Sequence, residues 1–144
     1  ANLEKSKFNF SNLDGADFSF ANLEGSSLCF SNLENVNFSN TNLCDCTLSK
    51  SNLENVIFSD TILLRTNFNC SNLEGVNFDG LILTDVNFRW ANLKNCSFRN
   101  CVLRRVKFKT NMLKNVDFCG AQIDDETYEY LSTKEVSLES CFRI

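Results

Sequence analysis

Histidine and proline are missing from all 144 residues, and the chain has only one Trp and two Tyr. Without histidine it lacks the usual general base near neutral pH and the commonest metal ligand. No Ser-His or Cys-His nucleophile pair and no His-containing zinc site can be assembled from it. The expectation is therefore no enzyme, no cofactor and no metal. No apolar run approaches the ~18–20 residues of a membrane span, and no charged-then-apolar leader opens the chain, so neither a transmembrane helix nor a signal peptide is expected. An initiator Met is missing too, and Ala1 already stands in register with the pattern described below, as in a processed protein or a piece of a longer one.

Cysteine, in contrast, is plentiful, with eight residues. A chain with a long regular core does not need disulfide staples, so these are read as free thiols of a reducing, cytoplasmic compartment. The one close pair, Cys44-Asp45-Cys46, has no second C-x-C or C-x-x-C to complete a metal site.

The dominant signal is a period of five. Every fifth residue from Leu3 to Leu113 and Phe118 is Leu or Phe, and the series ends on Ile123. Around an α-helix a step of five residues advances about 140°, which smears the Leu and Phe over every face; on a flat strand it sends alternate ones to opposite sides. Neither element buries the pattern. A chain that turns a corner after each pentapeptide does, because every central side chain then points to one axis, as in a solenoid.

Ala21-Asn22-Leu23-Glu24-Gly25, Ala91-Asn92-Leu93-Lys94-Asn95 and Ala16-Asp17-Phe18-Ser19-Phe20 resemble the A-(D/N)-L-x-x unit of pentapeptide repeat proteins. The resemblance covers residues 1–123. It implies an all-β fold, a right-handed quadrilateral β-helix with four pentapeptides per coil, in which the central residue and the small residue two before it face inward. Residues twenty apart then stack in columns: Leu3 to Leu103, Leu13 to Leu113, Phe18 to Phe118, and a mixed column from Phe8 to Phe108. At ~4.8 Å per coil the rod is roughly 29 Å long. Leu81 and Asn111 depart from the small inward position. Leu81 is expected to widen a coil and Asn111, with Met112, to mark an irregular corner, although ordinary drift explains either equally well.

Residues 124–144 are expected to form a C-terminal cap. Asp124 can cap a helix over 125–131, with acidic residues at its positive end. Beyond it, Ser132-Thr133-Lys134-Glu135 fits a capping box for another helical turn, whereas Val136-Ser137-Leu138-Glu139-Ser140 returns to repeat register. No cap is visible at the other end, which points to an end-to-end homodimer or to chain lying upstream.

Function is expected among the outward residues. Residues 1–88 hold 4 Lys/Arg against 11 Asp/Glu, whereas residues 89–118 hold 8 against 1. An acidic rod thus carries a basic collar that includes Arg89, Lys94, Arg99 and Arg104. Asp14, Glu34, Glu54 and Glu74 stack in one acidic column, read as a solvated face or a partner surface. Asp45, Arg65, Asp85 and Arg105 alternate in sign as a surface ion-pair ladder. Asn12, Asn32, Asn52, Asn72 and Asn92 form a column suited to a hydrogen-bond ladder. Outward Phe10, Phe20 and Phe30, and a cluster of Ile62, Leu64 and Ile82, are apolar surface the coil does not require.

These features make the leading expectation a non-catalytic protein-protein interaction scaffold: a rigid charged rod that binds another protein. The family resemblance implies an alternative, the quinolone-resistance type, whose members mimic a DNA duplex and bind type II topoisomerases. The collar departs from that pattern. Direct nucleic-acid binding is disfavoured by the acidic remainder of the rod.

Overall fold

The computed structural model describes residues 1–144 as a coil of twenty-residue turns. Isolated parallel bridges join residues twenty apart, from Asn2 with Asn22 to Ser97 with Asp117. On one face the bridges lengthen into strands: β1 (Ile82–Thr84), β2 (Val102–Arg104), β3 (Gln122–Ile123) and β4 (Phe142–Arg143), which pair in parallel in that order. β-Branched Ile82 and Val102 suit a pleated surface, whereas the Asn residues at equivalent sites in earlier coils do not.

Most corners are four-residue turns closed by a hydrogen bond such as that from Ser6 N–H to Leu3 O, 3.2 Å, or from Ala16 N–H to Leu13 O, 2.9 Å. The third residue of the turn has positive φ at every multiple of five from Lys5 to Gly120 except position 110. Only five of these corners are Gly. The others include Phe, Lys, Arg and Trp, which favour this conformation least and are held in it by the ladder on either side.

Inside, the Leu and Phe columns pack as expected. From Leu23 to Ile123 the central residues are buried, and the Phe rings of successive coils stack, Phe78 on Phe98 at 4.8 Å. Leu3, Phe8, Leu13 and Phe18 of the first coil are half-buried. The small inward residues do more than fill space. Ser26 Oγ donates to Leu3 O, Thr41 Oγ1 to Phe18 O and Ser71 Oγ to Leu48 O, at 2.6–2.8 Å. Each thus reaches the carbonyl of a central residue one coil back, and cysteines do the same: the thiols of Cys96 and Cys101 donate to Leu73 O and Phe78 O at 3.0 and 2.9 Å. Burial pushes the thiols of Cys46, Cys96 and Cys101 up to about 12.

Leu81 breaks this system. It occupies an inward slot that Ala, Thr or Cys fills in the other coils, and beside its larger side chain the backbone ladder opens. The N–H groups of Asn55, Phe58, Asp60 and Leu63 lack the partners their counterparts have, as do those of Asn77 and Ile82 in the next coil. One coil earlier Phe38, Asn40 and Leu43 donate to Ile57, Ser59 and Ile62 at 2.8–2.9 Å. The ladder is closed again at Leu53 to Asn72, 2.8 Å, and at Arg65 to Thr84, 3.0 Å. Widening thus spreads over two of the four faces as a seam, while Phe58 and Phe78 still stack at 5.4 Å in the core.

The second irregularity shifts by one residue. Thr110, not Asn111, is buried and donates to Ala91 O at 2.7 Å, which leaves Asn111 exposed and in reach of Lys134 Nζ at 3.1 Å. The C-terminal helix α1 (Asp125–Ser132) is capped by Asp124, whose carboxylate accepts from Thr127 N–H. Partial burial pushes the Asp124 carboxyl up, but the Thr127 and Arg105 donors more than offset this and hold it below its ordinary value. No second helix follows. Lys134 closes a turn and the chain rejoins the coil: Gly120 N–H donates to Ser140 O, and Cys141 Sγ to Phe118 O. The helix is therefore an excursion from the solenoid, and β4 follows it in repeat register.

Two outcomes follow for solution measurements. In hydrogen exchange, the amides of Phe58, Asp60, Leu63, Asn77 and Ile82 exchange about tenfold or more faster than those of Phe38, Asn40 and Leu43. Leu81→Thr, which restores a hydroxyl to the slot, slows them. Equal protection in the wild-type protein would remove the seam. In thiol labelling of the native chain near pH 8, Cys70 and Cys119, both exposed, react first. Cys46, Cys96 and Cys101 react only on unfolding, because little of each is thiolate and none is accessible.

Candidate functional site

The outward residues singled out by sequence lie on different faces, so no single cleft gathers them. Phe10, Phe20 and Phe30 are corner residues with φ of 57°, 60° and 55°, and Phe10 and Phe20 are 78% and 74% exposed. Phe10 and Phe30 stack at 5.0 Å and 9°, and Lys50 Nζ lies 5.0 Å above Phe30. Trp90 stands in the same column, with Lys109 Nζ 5.3 Å from its ring. Phe20 occupies the opposite corner without an aromatic neighbour.

Ile62, Leu64 and Ile82 come together beside the seam, where Asp60, Thr61, Leu81 and Thr84 complete the lining of a shallow depression. Ile62 and Ile82 are 54% and 61% exposed, and Leu64 is half-buried. Sequence reasoning missed three neighbours. Val102 and Phe142 continue the column of Ile62 and Ile82 along the β1–β4 face, and exposed Ile57 lies on the adjoining face, against a second depression with Ser59, Asn77 and Asp79. Counting in twenties from Ile62 would have found Val102 and Phe142. Ile62, Ile82 and Val102 form an apolar strip along one side of the rod, and exposed Gln122 separates it from Phe142.

The acidic column proves to have a structural role. Asn92 and Asn95 donate to Glu74 at 3.1 and 3.2 Å, Asn72 to Glu54 at 2.6 Å, and Asn35 to Asp14 at 2.9 Å. The Asn side chains also bond to one another, Asn32 to Asn12, Asn72 to Asn52 and Asn92 to Asn72, at 3.0–3.2 Å. Each carboxylate thus clamps an Asn of the next coil, which offsets the repulsion between stacked acids. Glu34 has no such partner. The alternating column forms two pairs rather than a continuous ladder: Arg65 grips Asp45 and Arg105 grips Asp85, each bidentate at 2.5–2.8 Å, with no bridge from Arg65 to Asp85 across the seam. The arginine hydrogen bonds hold both aspartates below their ordinary carboxyl range.

Within the collar, Arg99 approaches Asp117 at 3.6 Å and Lys107 meets Glu126 at 2.5 Å. Arg89, Lys94 and Arg104 make no ion pair. No three His, Cys, Asp or Glu side chains converge as a metal would require, and no helix is long and apolar enough to cross a membrane.

The family model described as pentapeptide repeats matches in 8 copies, over residues 1–29, 11–49, 21–60, 48–85 and 82–118. No curated protein sequence matches the chain. Among solved structures it is similar to trypsin-treated QnrB1, a plasmid-mediated fluoroquinolone resistance protein, with 14% identity and a TM-score of 0.58 over 100% of this chain and 84% of that one. Full-length QnrB1 gives 14% identity and a TM-score of 0.55 over 92% and 88%. HetL, a pentapeptide repeat protein involved in heterocyst differentiation regulation from the cyanobacterium Nostoc sp. strain PCC 7120, gives 18% and 0.35 over 85% and 73%. The likeness to QnrB1 is one of fold. The five-residue beat, the twenty-residue coil and the family match over residues 1–118 agree: the chain belongs to the pentapeptide repeat family.

Proposed function

We propose that the chain is a non-catalytic scaffold that binds another protein along its apolar strip. The observation that carries this is the exposure of Ile62 and Ile82 in outward positions, where the preceding coils hold Asn2, Asn22 and Asn42. A polar residue serves the ladder at those sites, and β-branching, which suits the strand at Ile82, is available from Thr as well, so the apolar surface of isoleucine adds nothing the coil needs. Burying a large aliphatic side chain is worth about 1.5–3 kcal/mol, which makes such a strip a natural anchor for a partner. The open ladder beneath it leaves this part of the surface able to adjust. Phe10, Phe20, Phe30, Leu64 and the free cations are secondary contacts in this reading.

Replacing Ile62 and Ile82 together by Thr keeps β-branching while removing the apolar contact. The expected result is loss of captured partners, with affinity lowered about tenfold or more per residue and the thermal transition unchanged. Partners retained at full affinity by this variant would overturn the reading.

A second reading, a DNA-mimicking binder of a type II topoisomerase, draws on the charge of residues 1–88, 4 Lys/Arg against 11 Asp/Glu, on a rod of the same fold as QnrB1. The cations from Arg89 to Lys114 run against it. In a gyrase supercoiling assay the scaffold reading expects neither inhibition nor drug protection at micromolar protein; either effect would favour the mimic.

A further inference from the structure

The basic collar and helix α1 enclose a cleft on the face whose central residues are Phe88 and Phe108. Arg89, Lys107, Lys109 and Tyr130 line it, with Val106 and Glu126. Arg89 and Lys109 stand in one column on successive coils, where the backbones are ~4.8 Å apart, so two like charges are held side by side. The carboxylates that could neutralise them are committed elsewhere. Glu126 is taken by Lys107 at 2.5 Å, while Asp125 and Glu129 face Arg143 at 2.7 and 4.0 Å. Trp90 is not part of this lining but follows Arg89 in the chain and holds a large, half-exposed ring under Lys109 Nζ, at 5.3 Å. Unpaired cations beside a Trp, in a concave setting, have the chemistry of an anion-binding contact with an aromatic anchor.

We infer that this cleft binds an acidic, extended peptide segment of the protein partner, with Arg89 and Lys109 as its carboxylate receptors and the exposed Trp90 ring beside Lys109 as an aromatic contact next to it. The cleft holds about 280 Å³, at the low end of the ~300–1,000 Å³ of ordinary small-molecule sites and enough for a few peptide side chains. A nucleic acid is the less fitting polyanion. Any length beyond a few nucleotides would run along residues 1–88 or over the C-terminal tail, where acids outnumber bases 11 to 4 and 6 to 2, and a short acidic segment meets only the collar. A flat anionic surface would not enter between helix and coil. The inference rests on reading the chain as a protein-binding scaffold.

Trp90 is the only tryptophan in the chain, so its emission reports on this cleft alone. Titrating the full chain with octaglutamate is expected to change that emission saturably, and octaglutamine to leave it unchanged. The binding weakens about tenfold or more in Arg89→Gln/Lys109→Gln and again when salt rises from about 50 to about 200 mM, while Arg89→Lys retains it. Calorimetric titration provides a second readout, because Lys109→Gln alters the ring's surroundings, and circular dichroism confirms that each variant is folded. No response to octaglutamate, or equal affinity in the double variant, overturns the inference. Tighter binding of a single-stranded octanucleotide would assign the cleft to nucleic acid instead. The titration needs no cellular partner, so it can fail while capture through Ile62 and Ile82 succeeds, and the reverse.

Discussion

The parallel N–H to O=C ladder between residues twenty apart is the constraint on which everything else in this molecule depends. With one ladder on every side, the chain must bend through a right angle every five residues. The bend forces the last residue of each unit into the left-handed region, whatever its side chain. In most corners the carbonyl of the central residue accepts the N–H that closes the turn, and where the inward residue of the following coil is Ser, Thr or Cys its hydroxyl or thiol donates to that carbonyl as well. The central Leu or Phe then needs only to fill the axis. Side chains on the outer surface are free of the fold except where an Asn or a carboxylate is recruited to tie neighbouring coils.

The sequence made the parts set by periodicity legible. An unbroken five-residue beat has no consistent face in a helix or a strand, so the coil, its columns and its buried Leu and Phe followed from counting, while the number of units per coil came from the family resemblance. The start of α1 was legible because Asp124 and the acids after it suit a helix N-terminus. The corner conformation was not: Phe10, Lys50, Arg65 and Trp90 are poor left-handed residues, and only the closed ladder explains why they adopt it. Leu81 was visible as an oversized inward residue, but its effect was not, because a coil cannot widen at one point without stretching the faces next to it. The strain runs from Asn55 to Leu63, far from the residue that causes it in sequence terms. Residues 136–144 rejoin the coil for a similar reason: docking against β3 satisfies backbone groups that a second helix would leave open.

In a solenoid each coil touches only its neighbours, so stability is close to a sum of coil and interface terms. The interface crossed by the seam keeps its stacked Phe core and the ladder on its two other faces, including the bonds from Asn72 to Asn52 and Glu54. It is weakened without being broken. Ile62 and Ile82 flank this interface from either side, as outward neighbours in adjacent coils. A partner that covers both would tie together the two coils the ladder holds least firmly, so binding there and closure of the rod favour one another. The apolar strip and the seam are in this sense coupled, although inward Leu81 produces the seam and outward Ile62 and Ile82 the strip.

The charge of the chain also reads differently once its contacts are known. By composition the rod is acidic, and an acidic rod invites comparison with DNA. Yet Asp14, Glu54 and Glu74 hold Asn side chains of the next coil, Asp45 and Asp85 hold arginines, and Asp124 caps the helix. Those carboxylates still contribute to the field around the molecule, but much of their accepting capacity is already used inside it. Arg89, Lys94 and Arg104 have no such obligation, and Lys109 is engaged only by the Trp90 ring. A partner approaching from a distance meets a negative field, whereas at contact the unpaired cations and the exposed Phe and Ile side chains are available to it. Net charge governs the first stage of association and unpaired groups the second.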